Sequence, residues 1–353
     1  MVKKNKTTKT INAAVIGASG YTGIELIRLL ISHPYVNIKY LVADSNADKS
    51  INDLYSHLRT VNLPKLVSLD KVNFKNCDVV FCCLPHTKSQ EVVKKIPSQV
   101  KVIDLSADFR LEDTKEYQEW YGHKHIAEKL QKEAVYGLSE LYRKEIKAAK
   151  LVACPGCYPT SILLPLAPLC KAKLIDVSDI IIDSKSGVTG AGRSLKVASL
   201  FCEVTDNFKA YAVCNHRHIP EIEQTLTKEA GKKVTINFTP HLVPMNRGIL
   251  STIYLTLNKK TKYEDIVTYL KKFYEKENFV KILADGILPT TKDVTGSNYC
   301  NIAVIRARTP GKIVIVSVID NLIKGASGQA VQNMNIMFGF DETTALEALP
   351  VFP

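Results

Sequence analysis

Tryptophan occurs once in these 353 residues and methionine four times. No apolar run reaches the ~20 residues a membrane-spanning helix needs, which points away from a membrane protein. The nine cysteines are odd in number, and no export signal precedes them. That argues against a disulfide framework and for a reducing compartment. Acid is also scarce: 35 Asp and Glu stand against 47 Lys and Arg, for a net charge of +12. Such a balance can serve a polyanion, but no basic-aromatic stripe or helix-turn-helix pattern accompanies it. Four of the lysines lie in Met1 to Thr10, which has no acid and no apolar core. Residues 1–10 therefore read as a disordered basic tail and not as a signal or transit peptide. The expectation is a cytoplasmic protein with neither nucleic acid nor membrane as partner.

What remains is an ordinary globular mixture, 46% hydrophobic and 23% charged, long enough for two or three domains. Ile11 to Ile16 is an apolar run followed by Gly17-Ala18-Ser19-Gly20-Tyr21-Thr22-Gly23. Ile24, Leu26, Ile27, Leu29, Leu30 and Ile31 then recur at helical spacing until His33-Pro34, and Val36 to Val42 is a second apolar run. This is a strand, glycine turn, helix and strand. The continuous runs Val79 to Leu84 and Val100 to Leu105 predict strands buried on both faces, as in a doubly wound parallel sheet. After Cys157 longer strands with fewer helices are expected, at Ile180–Asp183, Val234–Phe238, Ile249–Leu257, Asn301–Ala307 and Lys312–Asp320. Helices are expected at Tyr263–Glu277 and Ser327–Met337. The fold class is α/β with a second α+β domain. The expected division is 11–154 plus 325–353 for a dinucleotide domain and 155–324 for a catalytic one.

The glycine triplet has a purpose at each position. Gly17 permits the tight turn, Gly20 admits a pyrophosphate to the backbone, and Gly23 lets the helix pack against the strand. The spacing is G-x-x-G-x-x-G, so the flanking strand and helix carry much of the inference toward a dinucleotide. Asp44, at the end of the second strand, is placed for ribose hydroxyls. No arginine follows it, and these residues leave NAD against NADP open.

Cys157 opens an apolar helix, where the dipole favours thiolate, so it is a candidate nucleophile with a lowered pKa. The competing readings of Cys154-x-x-Cys157 are a redox dithiol and half a zinc site. No second C-x-x-C completes the latter, and no metal is expected. The other dense cluster is His216-Arg217-His218-Ile219-Pro220-Glu221. A histidine there can pass protons, a carboxylate can orient its ring, and the arginine can hold an anion.

Eight strings occur in a fixed order: G-A-S-G-Y-T-G at Gly17, D-L-S-A-D-F-R at Asp104, V-Y-G-L-S-E at Val135, P-G-C-Y-P-T at Pro155, S-G-V-T-G-A-G-R at Ser186, H-R-H-I-P-E-I at His216, P-H-L-V-P-M-N-R-G-I-L at Pro240 and K-G-A-S-G-Q-A-V-Q-N at Lys324. With them the chain, from about Ala13 to Phe340, resembles the N-acetyl-gamma-glutamyl-phosphate reductases of arginine biosynthesis. The resemblance implies a glyceraldehyde-phosphate-dehydrogenase-like fold, NADP(H) as cofactor, an acyl phosphate substrate and a homo-oligomer, dimer or tetramer. It implies Cys157 as nucleophile and His218 as acid/base, with His216 and Glu221 in support. Its cofactor contacts would be Gly17, Ser19, Gly20, Tyr21, Thr22 and Gly23 in the turn, then Asp44 and Ser45. Pro85, Gly187, Gly190, Asn321 and Gly325 would follow. Arg110, Arg193, Arg217 and Arg247 are the candidate clamps for phosphate and carboxylate. Where relatives commonly carry asparagine before P-G-C-Y-P-T, this chain has Cys154. Alternatives are a relative acting on carrier-linked aminoadipyl phosphate or aspartyl phosphate, and a non-catalytic dinucleotide-binding protein.

Overall fold

The computed structural model describes residues 10–352, so the expected basic tail lies, but for Thr10, outside the described residues. Two seven-stranded sheets dominate. The first comprises β1 (Ile11–Ile16), β2 (Val36–Val42), β3 (Leu66–Val67), β4 (Val79–Cys82), β5 (Lys101–Asp104), β6 (Val135–Tyr136) and β7 (Leu151–Ala153). Their order is β3-β2-β1-β4-β5-β7-β6, and every pairing is parallel. Such a sheet is covered on both faces, and its central strands are accordingly buried almost without interruption. The order reverses beside β1, which opens a crevice at the carboxyl ends of β1, β2 and β4.

The second sheet comprises β8 (Ile175–Gly187), β9 (Lys209–Ala210), β10 (Asn237–Val243), β11 (Ile249–Leu257), β12 (Val280–Ile282), β13 (Cys300–Arg306) and β14 (Lys312–Ile319). Their order is β12-β13-β14-β11-β8-β10-β9, mostly antiparallel. Here burial alternates: Ile253 is buried while its neighbour Tyr254 is exposed. One face packs on a helix, Cys157–Lys171, buried from Tyr158 to Cys170 and sharing a core with Ile182, Ile253 and Ile315. That helix carries the candidate nucleophile at its first position. The final helix, Gly328–Phe338, returns to the first sheet: Ala330, Val331 and Met334 pack with Ala13, Val15 and Phe81.

The strand expected at Val234–Phe238 begins three residues later and runs through Pro240 to Val243. Val234 and Ile236 are buried as expected of apolar residues, but their N–H groups donate to Thr227 Oγ1 and Glu223 Oε1, not to a neighbouring strand. The helix expected to reach Glu277 ends at Phe273.

Candidate active site

The sheet crevice and the start of the Cys157–Lys171 helix share one cleft of about 780 Å³. Its floor is the glycine turn. Gly17 has φ +84°, and a Cβ there would stand 2.3 Å from the Cys83 carbonyl oxygen. A Cβ on Gly23 would stand 2.3 Å from the Gly17 oxygen, which explains the close helix packing. Gly20 is different: only the Gly17 oxygen comes near, at 3.5 Å. It precedes the Tyr21–Ile31 helix, has no side-chain cap, and no acid occupies the first turn. An open, uncapped helix start facing a cleft fits the pyrophosphate of a dinucleotide. Ser19, Tyr21, Thr22, Asp44, Ser45, Pro85, Gly190, Asn321 and Gly325 also line this cleft. One Asp44 oxygen accepts the Leu69 N–H at 2.8 Å. Gly23 lies behind the wall, and Gly187 does not reach the cleft. Gly187 backs onto the Asn246–Arg247 peptide, where a Cβ would meet Arg247 N at 2.9 Å.

At the other end, Gly156 caps the Cys157–Lys171 helix in extended conformation, and Cys157 follows, half-buried. A Cβ on Gly156 would lie 2.5 Å from His218 Nε2 and 3.0 Å from Arg110 Nη1. Glycine thus lets an imidazole and a guanidinium close on the Gly156–Cys157 turn. Gly325 presses from another side, its Cβ position 2.8 Å from Cys157 Cβ. Glu221 was expected to orient a histidine ring; it does not. Buried, it accepts the Gly156 N–H at 2.8 Å, the Tyr136 hydroxyl at 2.7 Å and Arg110 Nη1 at 3.3 Å. It organises the Gly156 turn and the arginine. His216 stands outside the cleft lining, edge-on to Tyr158, Tyr211 and Phe238, and its Nδ1 accepts the His218 N–H. Burial, with Arg217 beside it, lowers its pKa to about 4.

The four arginines separate. Arg110 is fixed by the carbonyls of Cys154 and Leu105 and by Glu221, and it lines the cleft. Arg217 reaches across to His86 and lies over the Tyr121 ring, also within the lining. Arg193 donates to the Ser19 carbonyl at 3.1 Å and covers Tyr55, so it attends the glycine turn, and it too lines the cleft. Arg247 is outside the lining, bound to Glu25 and, at 3.1 Å, to Asp320.

The electrostatics depart from the sequence expectation. Burial pushes the Cys157 thiol up to about 11, although the Tyr158 N–H and the Arg110 charge pull it down. A helix dipole is worth about 0.3–1 kcal/mol, less than one pKa unit, whereas burial can shift a group by several units. At rest Cys157 is therefore held as a thiol. His218, by burial and then by His216 and Arg110, lies well below the usual histidine range and is neutral, with Nδ1 buried and unpartnered. Lys196 and His86 also line the cleft, unmarked by any motif. Tyr136 was missed as well; its signal was its place in the V-Y-G-L-S-E string. Cys154 is buried, and its sulfur accepts from Asn333 Nδ2 at 3.6 Å. No group of three or more His, Cys, Asp or Glu able to hold a metal occurs among the described residues.

Two family models match in succession: the semialdehyde dehydrogenase NAD binding domain over residues 12–149 and the semialdehyde dehydrogenase dimerisation domain over residues 157–321. A probable chloroplastic N-acetyl-gamma-glutamyl-phosphate reductase of Arabidopsis thaliana is 53% identical over 348 residues, covering 99% of this chain and 87% of the relative. The N-acetyl-gamma-glutamyl-phosphate reductase of Alkaliphilus metalliredigens is 52% identical, covering 97% of this chain and all of the relative. This chain belongs to the N-acetyl-gamma-glutamyl-phosphate reductase family. Family membership brings an oxidoreductase fold with a small-molecule site. The fold is shared more widely: an aspartate semialdehyde dehydrogenase II of Vibrio cholerae superposes with a TM-score of 0.70 at 14% identity, covering 93% of this chain and 98% of the other. The NADP complex of a Candida albicans aspartate semialdehyde dehydrogenase gives 0.66 at 20%, with the same coverage of each. No helix among the described residues is long and apolar enough to cross a membrane.

Proposed function

We propose that this chain reduces N-acetyl-gamma-glutamyl phosphate to N-acetylglutamate semialdehyde and phosphate, with NADPH as reductant. The observation that carries this reading is the placement of Cys157 between Gly325 and the Gly156 turn, where His218 and Arg110 converge, in the same cleft as the open glycine turn. Neutral His218 takes the thiol proton as the sulfur attacks the acyl carbon, and phosphate leaves as a thioester forms on Cys157. Arg110 and Arg217 line the cleft as cations for phosphate and carboxylate. Backbone N–H groups at the helix start face the carbonyl oxygen as charge develops on it. NADPH, held by the Gly17–Gly23 turn, supplies the hydride when bound. His218 then gives its proton to the thiohemiacetal oxygen; as the C–S bond breaks, that hydroxyl proton passes back through His218 to the sulfur, releasing the aldehyde and restoring the thiol.

The enzyme is expected to oxidise N-acetylglutamate semialdehyde only when phosphate is present, and faster with NADP than with NAD. Cys157→Ser abolishes this turnover while NADPH still binds. Equal rates with aspartate semialdehyde would overturn the substrate assignment. A reactive thiol suits a reducing, cytoplasmic setting, and the open sheet face carrying Ile181, Tyr254, Val314 and Val316 suits self-association as a dimer or tetramer. Sedimentation equilibrium tests the latter, and a monomer at micromolar concentration would contradict it.

A further inference from the structure

We infer that the buried Lys324–Glu140 ion pair is a positioning device: it holds the π-helical turn Ile323–Ser327 so that the nucleophile and the cofactor helix keep a fixed spacing. The inference rests on the reading of Cys157 as nucleophile. Neither side chain is exposed at all, and Lys324 Nζ stands 2.6 Å from Glu140 Oε1. Its other partners are Gln332 Oε1 at 2.8 Å and Gln329 Oε1 at 3.1 Å, so three acceptors meet three ammonium protons. Burial works against the Glu140 carboxylate, but the Lys324 charge and the hydrogen bonds outweigh it and hold its pKa below the usual range.

The turn touches both halves of the site within three residues. Gly325, next to the lysine, backs onto Cys157 with no room for a Cβ. Ser327 Oγ donates to the Thr22 carbonyl of the glycine-turn helix at 2.8 Å. At its start, Asp320 Oδ1 accepts the N–H groups of Leu322 and Ile323, and the Gly325 N–H donates to the Asp320 carbonyl. A π-helical turn is a rare conformation that favours functional sites. Glu140 lies on the Ser139–Ala148 helix of the first domain, so the pair fastens that turn to the first sheet's layer. Stability alone does not account for it. A buried ion pair replaced by apolar residues of similar volume is often neutral or stabilising, and Glu140 Oε2 is left buried without a partner. What the pair supplies is place.

The test uses the full-length enzyme carrying Lys324→Met with Glu140→Leu, which removes both charges together, and the conservative Glu140→Gln. Gln329 and Gln332 keep other partners, Ser139 for the first and Asn298 and Glu342 for the second. The double variant is expected to fold with a thermal midpoint near that of the unaltered protein. In the cofactor-free protein, iodoacetamide alkylation of Cys157, followed on its peptide by mass spectrometry, rises at least fivefold as Gly325 draws away. With substrates, kcat falls at least tenfold while the NADPH Kd changes less than threefold. Glu140→Gln, which keeps the shape and the hydrogen bonds, retains at least half of kcat. A double variant with unchanged alkylation and kcat would overturn the inference, and so would one that cannot fold, since the pair would then serve the fold alone. Turnover surviving in Cys157→Ser would instead refute the nucleophile reading and leave the alkylation result to stand by itself.

Discussion

The two ends of the cleft are built in different ways. At the cofactor end, three glycines within seven residues do the shaping, each through backbone geometry: a positive φ, an open approach and a close packing. At the thiol end, Arg110, Tyr136, Cys157, His218, Glu221 and Gly325 arrive from five separate segments and are held by side-chain contacts. Backbone demands of the first kind are local in sequence. Partner choices of the second kind exist only after folding. Glu221 illustrates this: three residues after His218 in the chain, it binds the Gly156 turn, Tyr136 and Arg110, not an imidazole.

The comparison can be broken from either end. The largest effect is expected at the thiol end: His218→Asn should lower kcat by about 10³-fold, the scale of a lost general acid–base, with cofactor binding unchanged. Next, Gly17→Ala and Gly156→Ala should each lower kcat/KM by about 10²-fold, the scale of an ångström-level misplacement, through different failures. Gly17→Ala should weaken NADPH binding and leave Cys157 alkylation alone. Gly156→Ala, pressing on His218 and Arg110, should do the reverse. Fluorescence titration and thiol labelling of the two variants separate these outcomes, and matching profiles would dissolve the distinction.

A smaller effect tests the electrostatics. With the thiol pushed up to about 11 by burial, alkylation of Cys157 in the free enzyme should rise about tenfold per pH unit from 7 to 10, as the thiolate is the nucleophile. A plateau near neutrality would restore the helix-dipole reading.

The smallest effect concerns Asp104, fully buried beneath the Pro85–Ser89 loop. Burial and then the neighbouring Asp108 raise its pKa to about 7. Ser89 and Ser106 hydroxyls donate to it, and Asp108 accepts the N–H groups of Thr87 and Ser89. A carboxyl whose pKa is raised on folding binds its proton more tightly when folded. Its contribution is therefore present below the unfolded value near 4 and lost as pH rises through 7. Asp104→Asn should flatten that fall in stability between pH 4 and 7 in denaturant titrations. An unchanged slope would mean that another group carries it.

The parallel sheet was legible because strands buried on two faces must read as unbroken apolar runs, as Val79 to Cys82 does. The helix that Cys157 opens was legible for the same reason of local pattern. Three things were not. Val234 and Ile236 are apolar and buried without being strand, because their N–H groups find side chains. Arg247 matched a motif as fully as Arg110, yet Glu25 and Asp320 hold it away from the cleft. The protonation of Cys157 turned on burial, which a helix position does not reveal.

Thioester formation lies at the centre of this account. Mixing the enzyme with N-acetyl-gamma-glutamyl phosphate, with no nicotinamide cofactor present, isolates that step. The predicted result is a burst of one phosphate per subunit and an N-acetylglutamyl adduct on the peptide containing Cys157, both absent in Cys157→Ser. Phosphate release that requires NADPH, with no adduct on Cys157, would contradict it.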